Sequence, residues 1–272
     1  MIPAISILNR NKTKLNELRG SVPLRTPLRN RNRNNGLLFM SILFGLVLLL
    51  SLMQPIFADP DGANITYNVS ETKTPAAAQY LNTSGGSFTT VILNAETQNL
   101  KWKAYAGNVS GVLTLDDGGN YSIYQWQLTD YTGEVFASRN ASVTWSNIRC
   151  ANVTHVYYEE TAMNHTTSSP DSINSTFSYK LHKAFYVGTA VIAQSSCKNT
   201  FTWVNNTAQT PDITSPFQEI LLYDGSALVY TTFIDDNIQG FNFKKYDFQM
   251  IVPERGVQGY DNTKYYFYME LG

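Results

Sequence analysis

The sequence has 272 residues (30.5 kDa), of which 43% are apolar, 13% aromatic and 15% charged, with a net charge of −1 and two cysteines. The charged fraction lies well below the ~25% of an average soluble domain, and Tyr, Phe, Asn, Thr and Ser take its place. A disordered polyelectrolyte, a coiled coil, a disulfide-dense miniprotein and a four-cysteine zinc module are thereby excluded.

Near-neutrality is the sum of two opposed parts. Residues 1–35 carry eight basic side chains (Arg10, Lys12, Lys14, Arg19, Arg25, Arg29, Arg31 and Arg33) against Glu17, whereas the chain from Asp59 onward carries 12 basic and 20 acidic residues. Between them, residues 34–58 hold no charge, and 37–53 read LLFMSILFGLVLLLSLM. As a helix those residues would extend ~26 Å, close to the ~30 Å hydrocarbon thickness of a bilayer. Residues 36–58 are therefore expected to form a single transmembrane or signal helix. Residues 1–35 are expected to be a disordered, basic cytoplasmic segment beside anionic headgroups, with the rest of the chain exported. Two fates follow: a retained single-pass anchor in the cell membrane, or cleavage near Ala58 and secretion, since small Ala58 follows helix-breaking Pro55.

Residues 59–87 are polar and rich in Thr, Ser, Pro and Gly, which reads as a spacer or arm. From residue 88 to 272 the texture is that of a β-rich extracellular domain. Ser87–Leu93 (SFTTVIL) is β-branched and aromatic, as in a strand. In 99–106 alternation puts Leu100, Trp102, Ala104 and Ala106 on an inner face and Lys101, Lys103 and Tyr105 outside. Val109–Leu115 and Tyr121–Leu128 flank Asp116-Asp117-Gly118-Gly119-Asn120, a hairpin signal. Strands are expected at Glu134–Ser138 and Ser142–Trp145. A helix capped by Ser146 should run to about Met163, with a short one after Ser169-Pro170-Asp171. Strands resume at Ala184–Ala193 and Asn199–Val204. Glu219–Tyr223 and Ala227–Ile234 form a hairpin around Asp224-Gly225-Ser226, and Asp247–Val252 and Lys264–Leu271 end the series. The expected fold is mainly β and β-sandwich-like, or a β-rich α+β variant with one or two inserted helices, preceded by the N-terminal helix. Trp102, Trp126, Trp145, Trp203 and the terminal Tyr/Phe cluster are expected to supply most of the core.

Asn-x-Ser/Thr occurs at Asn64, Asn68, Asn82, Asn108, Asn120, Asn140, Asn152, Asn164, Asn174 and Asn205, whereas roughly three or four sites would arise by chance. These ten are candidate glycosylation sites on an outer face. Cys150 and Cys197, both in the exported part, read first as one disulfide, closing a loop whose constraint on the unfolded chain is ~4 kcal/mol.

Motifs for chemistry are sparse. His155, His165 and His182 lack metal-ligand spacing, and there is no His-Glu-x-x-His, no Gly-x-Ser-x-Gly and no phosphate-binding glycine loop. No catalytic residue, cofactor or metal is assigned. The acidic pairs Asp116-Asp117, Glu159-Glu160 and Asp235-Asp236 are expected to be solvated turn or helix-surface carboxylates. Calcium at the Asp116 or Asp235 turn, and carboxylate catalysis, are the lesser readings. The acidic exported part argues against nucleic acid as a partner.

Together these features resemble archaeal cell-surface proteins: a basic leader, one apolar span and a β-rich part crowded with sequons. Trp145-Ser146-Asn147-Ile148 with Cys150, and the stretches Phe217–Asp224, Asp247–Glu254 and Tyr265–Tyr268, are similar to segments of uncharacterised archaeal exported proteins. The resemblance implies an envelope location and no activity. The expected function is therefore a non-enzymatic, glycosylated, membrane-tethered or secreted surface protein with a structural or adhesive role. Its expected partners are the membrane through the N-terminal helix and a surface-layer, self-association or glycan partner. Two alternatives stand beside it. One is a filament subunit assembling by strand addition through 59–87 or the C-terminal strand 264–271. The other is a carbohydrate-binding or carbohydrate-active protein using exposed aromatics and carboxylates.

Overall fold

The structure, a computed structural model, describes residues 58–256 and 261–272. All of these fall in one unit of the chain, Pro55–Gly272. The expected basic segment 1–35 and all of the expected span 36–58 except Ala58 lie outside the described residues. Among the described residues no helix is long and apolar enough to cross a membrane.

The protein is mainly β. Its strands are β1 (Asp61–Gly62), β2 (Trp102–Gly107), β3 (Val112–Asp116), β4 (Ser122–Gln127), β5 (Gly133–Ser138), β6 (Arg149–Cys150), β7 (Phe185–Val187) and β8 (Ala190–Ile192). They continue with β9 (Asn199–Phe201), β10 (Gln218–Tyr223), β11 (Leu228–Phe233), β12 (Ile238–Gln239), β13 (Lys245–Tyr246), β14 (Phe248–Pro253) and β15 (Tyr266–Leu271). Two helices, α1 (Val153–Ala162) and α2 (Ile173–Thr176), are inserted between β6 and β7. A seven-stranded antiparallel sheet runs in the order β1-β15-β5-β11-β10-β6, with β9 also paired to β10. Its centre is the hairpin β10–β11, where Asp224 Oδ1 accepts from the amides of Ser226 and Ala227 and Gly225 takes φ +103. Those bonds supply what an Asp-Gly turn needs.

Alternation along the strands gives the sheet two apolar faces, so it lies in the middle of the core. On one face Val135, Ala137, Leu221, Leu228 and Tyr230 pack against Val156 of α1, Ile173 and Phe177 around α2, and Met250 and Val252 of the β2–β14 ribbon. On the other, Phe136, Ile220, Leu222, Val229 and Phe233 meet Phe185, Val187 and Ile192 of the β7–β8 ribbon, together with Ile148 and Cys197. Glu219, wholly buried on the first face, accepts from the Ile251 amide at 2.9 Å and ties the ribbon to β10. Burial raises its pKa well above the ordinary carboxylate value, with the Ile251 amide working against the rise.

Several expectations change. Ser87–Leu93 forms no strand: it lies exposed in an extended arm. Ser142–Trp145 is not a strand either, and Trp145–Asn147 form a 3-10 turn. The first long helix starts at Val153 rather than Ser146, because Arg149 and Cys150 are drawn into pairing with Tyr223 and Leu222 of β10. Asn152 is its cap, accepting from the His155 amide while the His155 ring accepts from the Asn152 amide. In β2 the inner and outer faces are partly exchanged: Ala104 is exposed, and Tyr105 turns inward to meet Phe267 edge-on at 4.9 Å. Trp126 and Trp203 are exposed, and Phe136, Phe177, Phe217 and Tyr230 take the core role expected of them.

Candidate functional site

The expected pairing of the cysteines holds: Cys150 and Cys197 form a disulfide. It joins the end of β6 to the segment before β9, beneath the sheet. His182 braces it, since Nε2 accepts from the Cys197 amide at 3.0 Å and Nδ1 donates to the Lys183 carbonyl at 2.8 Å. Both ring nitrogens are thus used, and burial lowers the pKa of the ring, keeping it neutral. His155 is the helix-cap residue stacked on Tyr223, and His165 is buried with Nε2 on the Glu254 carbonyl. The three histidines do not converge. Among the described residues no group of three or more His, Cys, Asp or Glu side chains is placed to hold a metal.

The acidic pairs divide. Asp117 caps the β3–β4 turn, accepting from the amides of Gly119 and Tyr121, and Asp116 is exposed beside Thr114. Glu159 and Glu160, expected on a helix surface, are both buried. Arg139 grips Glu159 through Nε and Nη2 at 2.7 and 2.6 Å, and Glu160 accepts from the Asn174 amide at the start of α2. Long-range partners account for both burials, since each carboxylate receives the donor that desolvation requires. Asp235 accepts from the Phe217 amide and stands 3.7 Å from Lys183 Nζ.

Glu134 and Glu270, on neighbouring strands, are an unexpected pair. They are direct cross-strand partners of β5 and β15 and share one face of the sheet. They line a cleft of ≈ 300 Å³ at the sheet end with Lys183, Phe185, Tyr186, Phe233 and the C-terminal Leu271-Gly272. Glu270 accepts from the Gly188 amide with both oxygens, at 3.0 and 3.2 Å. Burial, reinforced by the Glu270 charge and opposed by Lys183, pushes Glu134 up to about 8. Burial also raises Glu270, with the Gly188 amide working against the rise and Asp59 adding to it. At neutral pH the pair therefore combines a protonated Glu134, able to donate a hydrogen bond, with the Lys183 cation nearby. A single carboxylate in each of two otherwise apolar strands, GEVFAS and YFYMEL, is the sequence signal that marks them.

The candidate glycosylation residues are placed variously. Asn64, Asn68, Asn82, Asn108, Asn120, Asn152 and Asn164 are exposed, and Asn140, Asn174 and Asn205 are half-buried. The amide nitrogen of Asn140 donates to Asp224 and Ser226, and that of Asn205 donates to Gln239, so both are engaged in the fold.

The second unusual surface is apolar. The hairpin β3–β4 pairs with nothing else among the described residues. Its register sets Leu113 against Trp126 and Leu115 against Tyr124, so four large side chains share one exposed face. The C-terminal strand, in contrast, is held within the sheet between β1 and β5, not left free to donate itself to a neighbour. The chain matches no protein-family model, no curated protein and no solved structure.

Proposed function

We propose that this chain is an exported, membrane-tethered or secreted surface protein, glycosylated, whose β-rich part has a structural or adhesive role rather than a catalytic one. The observation that carries the reading is the Cys150–Cys197 disulfide, because such bonds form and persist in oxidising compartments. Three features support it. Seven of the ten sequon asparagines are exposed. The uncharged run 36–58 follows a basic segment, as in a segment that directs export. The largest exposed apolar features, the arm and the β3–β4 hairpin, suit contact with other macromolecules. The archaeal envelope and the sandwich-like arrangement of the β layers belong to the same reading.

Intact mass and N-terminal sequencing of the native protein from membrane and medium fractions test it. The expected result is glycan mass on a chain found in membranes with its N-terminus retained, or in the medium with a start near Asp59. An unmodified chain confined to the soluble cell interior would overturn it.

The cleft favours a second reading, a carbohydrate-binding or carbohydrate-active site. Its supporting observation is Tyr186 in one concavity with the Glu134–Glu270 pair, a ring and two carboxyl groups of the kinds that glycosidase sites use. Binding or hydrolysis of a panel of oligosaccharides that Glu134→Gln abolishes would establish it. Unchanged behaviour of the variant across the panel would remove it.

A further inference from the structure

Two parts of the molecule have complementary deficits. The first is the arm from Ala63 to Lys101, held at one end by β1 on β15 and at the other by β2 on β14. Between those ends lies Ser87–Leu93, whose sequence is that of a strand, yet it pairs with nothing among the described residues. Phe88 and Ile92, four residues apart and so on the same face of a strand, are 94% and 95% exposed. The second is the hairpin β3–β4, a two-stranded sheet whose edges are both open among the described residues. Two strands alone are marginal in water, and a third strand with a hydrophobic face is what stabilises them.

The hairpin also lacks the usual edge protection. Natural edges carry Lys, Pro or bulges against stray pairing. Neither VLTLD nor SIYQWQ contains Lys, Arg or Pro, and the one bulge sits beside the turn, at Leu115/Asp116. Sequons surround both elements without interrupting them: Asn82 precedes the arm strand, Asn108 precedes the hairpin and Asn120 lies in its turn. Glycans at those positions would leave both pairing surfaces bare.

We propose that Ser87–Leu93 of one copy of this chain adds as a third strand to an open edge of the β3–β4 hairpin of a second copy, with Phe88 and Ile92 extending the stripe Leu113, Leu115, Tyr124 and Trp126. The occupant is a second copy because the chain itself supplies both halves and leaves them apart. Edge addition pairs the backbone of residues 87–93 with that of the hairpin and brings Phe88 and Ile92, 94% and 95% exposed, beside one row of the stripe as cross-strand neighbours. Leu93 lies nine residues before Trp102, the nearer anchor, so the arm strand reaches up to ~30 Å from it, enough to meet a molecule in contact with its own. Self-association of this kind needs neither export nor glycosylation, so it stands or falls apart from the function proposed above.

The test uses the full-length chain in whichever fraction of its own cells or medium holds it, co-expressed as two differently tagged copies with a photo-crosslinking residue at position 92. Irradiation should join the two tags, and the cross-linked peptide should lie within residues 112–127. Thr90→Pro removes the Thr90 amide, which makes no backbone hydrogen bond among the described residues, and should lower the inter-chain yield at least fivefold with unchanged thermal unfolding. Trp126→Lys should do the same from the hairpin side. Cross-links confined to one chain, made only to other proteins, or absent overturn the proposal. So does an inter-chain yield that Thr90→Pro leaves unchanged. Recording in the same samples where the protein is found keeps this outcome separate from the export reading.

Discussion

Glu134→Gln keeps the shape of the side chain in the cleft and removes its charge. In the folded protein Glu134 holds its proton up to about 8, whereas the ordinary carboxylate value is 4.5. Between those values the folded state binds a proton that the unfolded chain has released, so stability falls as pH rises, by up to ~1.4 kcal/mol per pH unit. From pH 5 to pH 8 this adds to about 4 kcal/mol, and solvent in the open cleft reduces it to roughly 2 kcal/mol. Glu134→Gln removes the loss. Wild type and variant should therefore unfold at the same temperature at pH 4. They should diverge from pH 5 upward, with the variant higher by about 4–8 °C at pH 8. Comparing the two proteins cancels the titrating groups away from the cleft, among them Glu219, whose raised pKa acts in the same direction. Another cancelled group is Glu254, where burial is outweighed by hydrogen bonds from Lys103 and Thr263 that hold it at about 2. Parallel unfolding temperatures from pH 4 to pH 8 would refute the argument that Glu134 is protonated by burial and by its cross-strand neighbour.

Other variants probe the frame around the cleft. Replacing both cysteines by Ser should cost about 4 kcal/mol in urea unfolding, since the bond closes a loop with a sequence separation of 47. Arg139→Met leaves Glu159 buried without its forked partner and should cost ~3–5 kcal/mol, most of which the double variant Arg139→Met/Glu159→Leu should recover. Glu219→Ala opens a cavity and loses the Ile251 bond, at ~2–4 kcal/mol, whereas Glu219→Gln keeps the side-chain volume and an oxygen to accept that bond and should cost less. Chemical denaturation of the purified chains measures each.

The sequence was most informative where structure is local. Asp224-Gly225-Ser226 and Asp117-Gly118-Gly119 make their turns through hydrogen bonds spanning two to four residues, and both hairpins were legible from those residues. The end of α1 near Met163 and the short helix after Ser169 were legible for the same reason. The disulfide was legible because two cysteines allow a single intramolecular pairing. What was not legible depends on distant partners. Glu160 is buried because the Asn174 amide meets it, and Glu159 because Arg139 does, and neither donor lies near the pair in sequence. Ser146 suits a helix cap, but the edge of β10 claims residues 149 and 150 as a strand. The Glu134–Glu270 pair arises only when the C-terminal strand docks on β5, so alternation marks each residue as unusual without joining them. Ser87–Leu93 has the composition of a strand and no partner within its own chain, which separates propensity from pairing.

The most direct test of the account is the redox state and exposure of the protein in intact cells. Cells are treated with a membrane-impermeant protease, and the recovered protein is denatured without reductant and exposed to a thiol reagent. The account predicts cleavage from outside within the exposed arm 63–101 and no labelled thiol at Cys150 or Cys197. Protein that resists the protease in intact cells and carries label on both cysteines would contradict it.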